Sequence, residues 1–147
     1  MTVFRIGRRT GLEPGECWRR VTDWEAHAAG VPFTRVTVVT EGPAGVGTVF
    51  VARSGAEAFG FDDPMEIVRW DPPAGGGPGV CRLEKRGRAV TGWAEIEVRP
   101  VPGGGSVVLW VEELSVRGVP ALLDPLVTRV GRVVFGRALD GLLSGRR

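Results

Sequence analysis

The spacing of hydrophobic and polar residues divides the chain into segments of different period. Residues 2–9 set apolar side chains among arginines, which predicts a first strand. The acidic residue and the proline at positions 13 and 14 predict the start of a helix, because both suit a first helical turn. The apolar spacing continues past Asp23, which is placed to cap a second short helix over residues 24–29. Two short helices are therefore predicted after the first strand.

Six strand-like runs follow, joined by short segments rich in glycine and proline. They cover residues 33–40, 46–52, 64–70, 80–85, 89–98 and 106–116. In the fifth run apolar residues largely alternate with charged ones, which is typical of a strand with one buried face. The short connections, including a tight turn around Arg86-Gly87, favour antiparallel neighbours. We therefore predict an antiparallel meander.

From Val119 onward the apolar residues recur with a period near 3.6, which predicts a helix of about 25 residues with one apolar side. Such a helix must cover another apolar surface, and the largest one predicted here is a face of the sheet. We therefore expect an apolar space between helix and sheet. Arg129 and Arg132 on the other side suggest a membrane-surface helix instead. We consider the membrane-surface helix the weaker alternative, because the apolar stripe that would face the membrane is needed to cover the sheet.

The bulk composition excludes several classes of protein. With 147 residues, 43% of them hydrophobic and 24% charged, the chain has the size of one globular domain. A net charge of +2 gives no support for nucleic-acid binding, which usually requires a strongly basic surface. The first residues lack the apolar segment of a signal peptide, and no run is long enough to span a membrane. Cys17 and Cys81 lie far apart, so we interpret them as buried thiols of a cytoplasmic protein without a zinc site or other cofactor.

The order of predicted elements is strand, two short helices, six strands and a long helix. Four local sequences accompany this order: CWRRVTDWEAHAAGVP, GVGTVFVAR, DPMEIVRWDPP and VVLWVEEL. Together they resemble the START/Bet-v-type superfamily, also called SRPBCC, and in particular its polyketide cyclase/dehydrase-like branch. The resemblance implies an α+β helix-grip fold, in which a curved antiparallel seven-stranded sheet surrounds a long C-terminal helix. It also implies that residues 1–147 form a single START-like domain with a deep apolar cavity.

The resemblance implies a class of function without naming a ligand, because this fold serves many purposes. We expect binding of a small hydrophobic molecule, aromatic or polyketide-like, in the internal cavity. The alternative is a polyketide cyclase or dehydratase that uses the same cavity, and a third possibility is a lipid or quinone shuttle. Two or more titratable groups placed opposite each other would favour catalysis, whereas the single histidine and the lack of tyrosine favour binding. We expect no nucleic-acid partner, no stable membrane insertion, and a monomer or homodimer.

Five tryptophans without any tyrosine suit a pocket for aromatic ligands. The proposed ligand-binding residues are Trp24, Trp110, Trp70, Phe50, Leu126 and Val130. Each of these side chains also fits a simpler role as filler of the core. Trp93 lies at an outward position of its strand, unless the preceding Gly92 marks a bulge.

His27 is the first candidate for acid–base chemistry. It follows Trp24 by three residues, and Asp23 is placed to pair with its ring. Two interpretations stay open: a proton donor or ligand contact at the cavity, or a partly exposed histidine at a helix end. Gly30 and Pro32 are expected to end this helical corner, which we interpret as closing one end of the cavity.

Glu112 is the second candidate, because it shares its strand face with Trp110 and is expected to point inward. Burial would raise its pKa and suit it to act as an acid. The alternatives are an ion pair with Arg82 or Arg69 from a neighbouring strand, or plain exposure to solvent.

Overall fold

The structure, a computed structural model, describes residues 2–29, 31, 33–55 and 60–144. Gly30 and Pro32, the expected end of the helical corner, lie outside the described residues. The elements in chain order are β1 (Thr2–Thr10), α1 (Pro14–Val21), a 3-10 helix (Trp24–Ala28), β2 (Thr34–Val38), β3 (Val49–Ser54), β4 (Phe61–Asp71), β5 (Gly79–Arg86), β6 (Val90–Pro100), β7 (Ser106–Val116), a 3-10 turn (Ala121–Leu123) and α2 (Asp124–Ser144). The predicted order of strands and helices is confirmed.

The seven strands form one antiparallel sheet in the order β1-β7-β6-β5-β4-β3-β2. The meander accounts for six of these strands, and β1 completes the sheet by pairing with β7. Phe4 pairs with Glu112 and Ile6 with Trp110 in that last ladder. The sheet curls into a half-barrel around α2, as the resemblance implied. Because β1 is paired along its whole length, the first strand and the last strand share one buried face.

Burial alternates along the central strands and defines the concave face of the sheet. In β5 and β7 every second residue is buried, as the apolar and polar alternation predicted. Most of these inward positions are apolar, but Lys85 and Glu112 occupy two of them. Charged side chains are almost never fully buried unless they are paired. These two inward charges are therefore the first sign that this face does more than fill a core.

Several elements differ from the sequence-based prediction in type or in bounds. The second short helix is a 3-10 helix rather than an α-helix, with a hydrogen bond from the Ala26 N–H to the Asp23 carbonyl. The long helix begins at Asp124 instead of residue 119. Pro125 explains this start, because proline is tolerated in a first helical turn and disrupts a helix interior. Strand β4 begins at Phe61, three residues before its predicted start at Pro64.

Helix α2 is buried along its second part, where the buried residues are Gly131, Gly136, Ala138, Leu139 and Leu142. A β-carbon at Gly131 would lie 2.9 Å from the ring of Phe4, so this glycine permits a close approach to β1. In the first part of the helix, Leu126 is 56% exposed and Val130 is 53% exposed. The expectation that the whole apolar stripe is needed by the sheet is therefore wrong for the first part, where these side chains are left half uncovered. In the described part of the chain, no helix has the length and apolar character needed to cross a membrane.

Candidate functional site

A cavity lies between the concave face of the sheet, the 3-10 helix and α2. It consists of an inner chamber of about 120 Å³ and an adjacent, more open cleft of about 570 Å³. The two spaces are adjacent because they share lining residues, namely Val31, Thr34, Ser54, Asp63, Glu112, Val134 and Phe135. The cleft is lined mainly by aliphatic side chains of β7 and the first half of α2. A small molecule can therefore occupy the chamber with one end and the cleft with the other.

Aromatic rings form much of the wall of the chamber. Trp24 stacks on Phe50 with ring centroids 4.6 Å apart and planes inclined by 8°. Trp110 contacts Phe135 of α2, with centroids 5.3 Å apart. The His27 ring lies near both indoles, 5.2 Å from Trp24 and 5.5 Å from Trp110. Sequence analysis missed Phe135, although it follows Val134 on the helix that was predicted to cover the sheet.

The 3-10 geometry brings Trp24 and His27 together. A 3-10 helix has three residues per turn, so side chains three positions apart lie on the same side. Trp24 is buried and His27 is half-buried, and both side chains line the chamber. The His27 ring therefore faces the cavity. Its role there stays a proposal.

The hydrogen bond of His27 fixes which of its nitrogens carries the proton. Its Nε2 lies 2.7 Å from the carbonyl oxygen of Val21, which only accepts hydrogen bonds. The neutral ring therefore donates from Nε2 and leaves Nδ1 as an acceptor. Burial lowers the pKa of His27 to about 4, against smaller opposing effects of the Val21 carbonyl and Asp23. The expected cap by Asp23 is not formed, since its side chain makes no capping hydrogen bond to the 3-10 helix.

A cluster of three charged side chains lies on the concave face where the chamber meets the cleft. Lys85 of β5 donates a hydrogen bond to Asp63 of β4, with its Nζ 2.8 Å from Oδ2. The same Nζ lies 3.9 Å from Oε2 of Glu112 on β7. The Lys85 and Glu112 side chains are only 2% and 1% exposed. The cluster carries one positive and two negative groups, so its net charge is −1 when all three are ionised.

Two small residues on β6 allow this cluster to form across a strand. Lys85 pairs with Gly92, and Glu112 pairs with Ala94, so β6 separates the two charged residues. Neither of these β6 residues carries a long side chain between Lys85 and Glu112. Gly92 has a φ of +132°, and a β-carbon there would lie 1.9 Å from the Glu113 carbonyl oxygen. Only glycine fits that backbone, and the register there continues without a bulge.

The environment shifts the proton affinities of the cluster in known directions. Burial raises the pKa of Glu112, although Lys85 and the Trp110 hydrogen bond oppose this effect. Burial alone would lower the pKa of Lys85, but the carboxylates of Glu112 and Asp63 outweigh it and raise the pKa above the ordinary value. Lys85 therefore stays a cation near neutral pH, whereas Glu112 holds a proton more tightly than an exposed glutamate does.

Three buried polar atoms of the cavity have no hydrogen-bond partner among the residues that the structure describes. They are Nε1 of Trp24, Oδ1 of Asp63 and Oε2 of Glu112. All three belong to residues that line the chamber. The other carboxylate oxygen of Glu112 accepts a hydrogen bond from Trp110 Nε1 at 3.3 Å. Because buried polar groups are usually satisfied, these three atoms are open to hydrogen bonds from a molecule, water included, that enters the cavity.

The ion pair expected for Glu112 is formed with a different partner. Arg82 and Arg69 were the predicted partners, but Arg82 pairs with Glu95 and Arg69 with Asp71. Neither pairing involves the chamber, and Arg82 also lies over the ring of Trp93, 4.4 Å from its centroid. The sequence prediction was wrong because it considered only arginines. Lys85 shares its strand face with buried Cys81 and Leu83, and that alternation was the available signal.

The six predicted ligand-binding residues fall in three places. Trp24, Phe50 and Trp110 line the chamber, while Leu126 and Val130 line the cleft. Trp70 lines neither space. A register shift after Ile67 pairs Trp70 with Cys81, at the end of the sheet that α1 covers. There its ring packs edge-on against Trp18, with centroids 5.1 Å apart.

The cavity offers hydrogen bonds and charges rather than a metal site. Within residues 2–29, 31, 33–55 and 60–144, no three side chains of the metal-binding types cluster closely enough to hold an ion.

Comparisons with known proteins place this geometry in context. No protein-family profile matches the sequence, and no curated protein resembles it significantly. Solved structures do match. The protein TTHA0849 from Thermus thermophilus is 19% identical, with a TM-score of 0.72 over 97% of this chain and 94% of that one. The chain has the helix-grip fold. The predicted resemblance to the START/Bet-v-type superfamily is thereby confirmed for the fold.

Two enzymes also share the helix-grip fold with this chain. Norcoclaurine synthase from Thalictrum flavum, in complex with dopamine and hydroxybenzaldehyde, is 14% identical, with a TM-score of 0.66 over 99% of this chain and 88% of that one. The Zhui aromatase/cyclase from Streptomyces sp. R1128 is 13% identical, with a TM-score of 0.65 over 97% and 92%. At such identities the likeness extends to the helix-grip fold and leaves the cavity chemistry to be read from the residues themselves.

We predict that His27 makes the stability of the protein depend on pH between about 6.5 and about 4. The pKa is about 4 in the folded state against 6.5 for the free side chain, so the unfolded chain takes up a proton first as the pH falls. Stability is fully present above the higher value and declines through this window, by roughly 3 kcal/mol for His27 alone. Urea denaturation of the wild type and His27→Gln should show the loss only in the wild type. Parallel curves for both proteins would contradict this assignment.

A second prediction concerns the lysine of the cluster. Lys85→Met leaves two carboxylates buried without a cation, and we expect a loss of about 3–5 kcal/mol at neutral pH. Adding Glu112→Gln should restore part of this loss, because one buried charge is then removed. Arg82→Met is the matched control on the outer side of the same strand, with an expected cost of about 1 kcal/mol. The comparison is made by urea denaturation, and equal losses at both positions would exclude a buried cluster.

Proposed function

We propose that the protein binds a small hydrophobic molecule, aromatic or polyketide-like, in the cavity between the sheet and α2. The observation that carries this proposal is the chamber whose wall is built from Trp24, Phe50, Trp110 and Phe135. Flat aromatic walls suit flat apolar ligands, since stacking adds to the gain from burying apolar surface. Ligand sites in proteins are typically concave, mostly apolar, and fitted with a few polar groups that orient the ligand.

The fold comparisons support an aromatic ligand as well. Norcoclaurine synthase holds dopamine and hydroxybenzaldehyde, which are aromatic, and the Streptomyces protein is an aromatase/cyclase. The two thiols, Cys17 and Cys81, are both free and buried. They support the further proposal that binding takes place in a reducing, cytoplasmic environment.

Binding is tested with N-phenyl-1-naphthylamine, an aromatic dye whose fluorescence rises in apolar surroundings. We predict saturable binding by the wild type and loss of at least about 90% of the signal change in Val134→Trp, because that indole would fill the junction of chamber and cleft. Val133→Trp is the matched control, since Val133 is exposed on the neighbouring helix position and lines neither space. Thermal unfolding of both variants checks that they fold.

Saturable binding that Val134→Trp blocks and Val133→Trp spares would support the proposal. Absence of binding in the wild type, or equal binding in both variants, would refute it.

A second candidate function is a cyclase or dehydratase, and a specific observation favours it. The chamber holds His27, whose Nδ1 is an acceptor, and Glu112, whose raised pKa lets it carry a proton. Both contact Trp110, so a candidate general base and a candidate general acid line one cavity. Environments that push two pKa values apart are the usual sign of acid–base roles. In the shared first step, His27 would remove an α-proton from a ketone while Glu112 protonates the carbonyl oxygen, giving an enol.

This candidate is tested by following deuterium uptake into 2-tetralone in D₂O by mass spectrometry. We predict that the wild type accelerates the exchange and that His27→Gln and Glu112→Gln each slow it by at least roughly tenfold, in keeping with general acid–base catalysis. Glu113→Gln is the control, because Glu113 lies on the outer side of β7 and binds Trp93. The enzymatic candidate fails if the wild type gives no acceleration, or if His27→Gln and Glu112→Gln both exchange as fast as the wild type. The binding proposal is unaffected by either result.

A further inference from the structure

The charged cluster raises a question that apolar binding leaves open, namely what balances its second negative charge. Asp63 is paired with Lys85 at 2.8 Å, whereas Glu112 lies 3.9 Å from the same lysine, beyond hydrogen-bond distance. Glu112 is 1% exposed, and its Oε2 has no hydrogen-bond partner within the described part of the chain. A buried carboxylate in this position is costly, because it has lost its hydration without gaining a full partner.

A proton on Glu112 corrects the charge but leaves the hydrogen bonds incomplete. Oε1 already accepts from Trp110, so the proton would lie on Oε2 and make it a donor without an acceptor in the described residues. Oδ1 of Asp63 would still lack a donor. A hydroxyl group of a neutral ligand would supply a hydrogen-bond donor to the carboxylates. It would, however, leave the net charge of the cluster at −1. Neither a proton nor a hydroxyl group therefore completes the cluster.

An ammonium group meets both requirements at once. It brings one positive charge, and its N–H groups can donate to both orphan oxygens. Hydrogen bonds between charged partners are roughly twice as strong as neutral ones, and more so where water is excluded. The adjoining wall consists of indole and phenyl rings, whose faces attract cations.

We infer that the natural ligand is an aromatic amine whose protonated nitrogen binds between Asp63 Oδ1 and Glu112 Oε2 while its ring occupies the aromatic chamber. This inference rests on the proposed binding function and narrows its ligand class. In this complex Glu112 is ionised and pairs with the ammonium group. The groups that bear on it are Lys85 from β5, Asp63 from β4 and the neutral His27 from the 3-10 helix, whereas α2 lines the chamber with uncharged side chains.

Three probes of similar shape separate charge from hydrophobicity: 1-naphthylmethylamine, 1-naphthalenemethanol and 1-ethylnaphthalene. Their affinities are measured near neutral pH by displacement of N-phenyl-1-naphthylamine. We expect the amine to bind at least roughly tenfold more tightly than the alcohol, as a charge-assisted hydrogen bond permits.

Two variants assign the effect to Glu112. Glu112→Gln keeps the size and one oxygen but removes the charge, so the preference for the amine should disappear. Glu113→Gln, one residue away on the outer side of β7, should keep that preference. Near-ultraviolet circular dichroism checks that the two variants fold alike, and binding of 1-ethylnaphthalene checks that the chamber of Glu112→Gln is intact.

The possible results are distinct. If the alcohol or the hydrocarbon binds as tightly as the amine, or if the preference persists in Glu112→Gln, the inference is wrong and the binding function stands. If no probe and no dye binds, the proposed function itself is wrong.

Discussion

The buried ion cluster is the interaction on which the organisation of the cavity depends. Lys85 must cross β6 to approach Glu112, and the β6 residues paired with these two, Gly92 and Ala94, are both small. An ion pair of this kind adds little net stability, because the cost of desolvation offsets most of the attraction. Net stability is therefore a weak explanation for a cluster that places two charged side chains on the buried face of the sheet.

The aromatic wall complements the cluster by fixing the other end of the cavity. Trp24 stacks on the nearly parallel ring of Phe50, and the short 3-10 helix fixes its backbone. His27 shares that helix, and its hydrogen bond to Val21 fixes the ring. The chamber wall is therefore preorganised, which reduces the entropy lost when a ligand binds. The cleft differs, since exposed side chains of the first half of α2 form its rim.

The sequence predicted the fold well because alternation and helical period report directly on burial. It also predicted that Glu112 points inward, since the parity of β7 is regular. It could not predict the partner of Glu112, because pairing across β6 depends on the curl of the sheet and on the lack of side chains at Gly92. Trp70 illustrates the other limit: the register shift after Ile67 sets the position of its ring, and no turn residue in the sequence marks that shift. The aromatic residue of α2, Phe135, was missed although it precedes Ala138, Leu139 and Leu142 at helical spacing, so the signal for its inward position was present in the sequence.

Low identity to the solved structures makes the cavity residues, rather than the helix-grip fold, the guide to chemistry. Glu112 is central to both proposals because the same carboxyl group can serve two kinds of ligand. In the enzymatic proposal it donates a proton to a neutral carbonyl compound, whereas in the amine proposal it pairs as a carboxylate with a cation. Burial raises the pKa of this group, and a ligand that excludes water from the cleft enhances that effect unless the ligand itself is positively charged. The two proposals therefore require opposite protonation states of Glu112 at the moment when the ligand is bound.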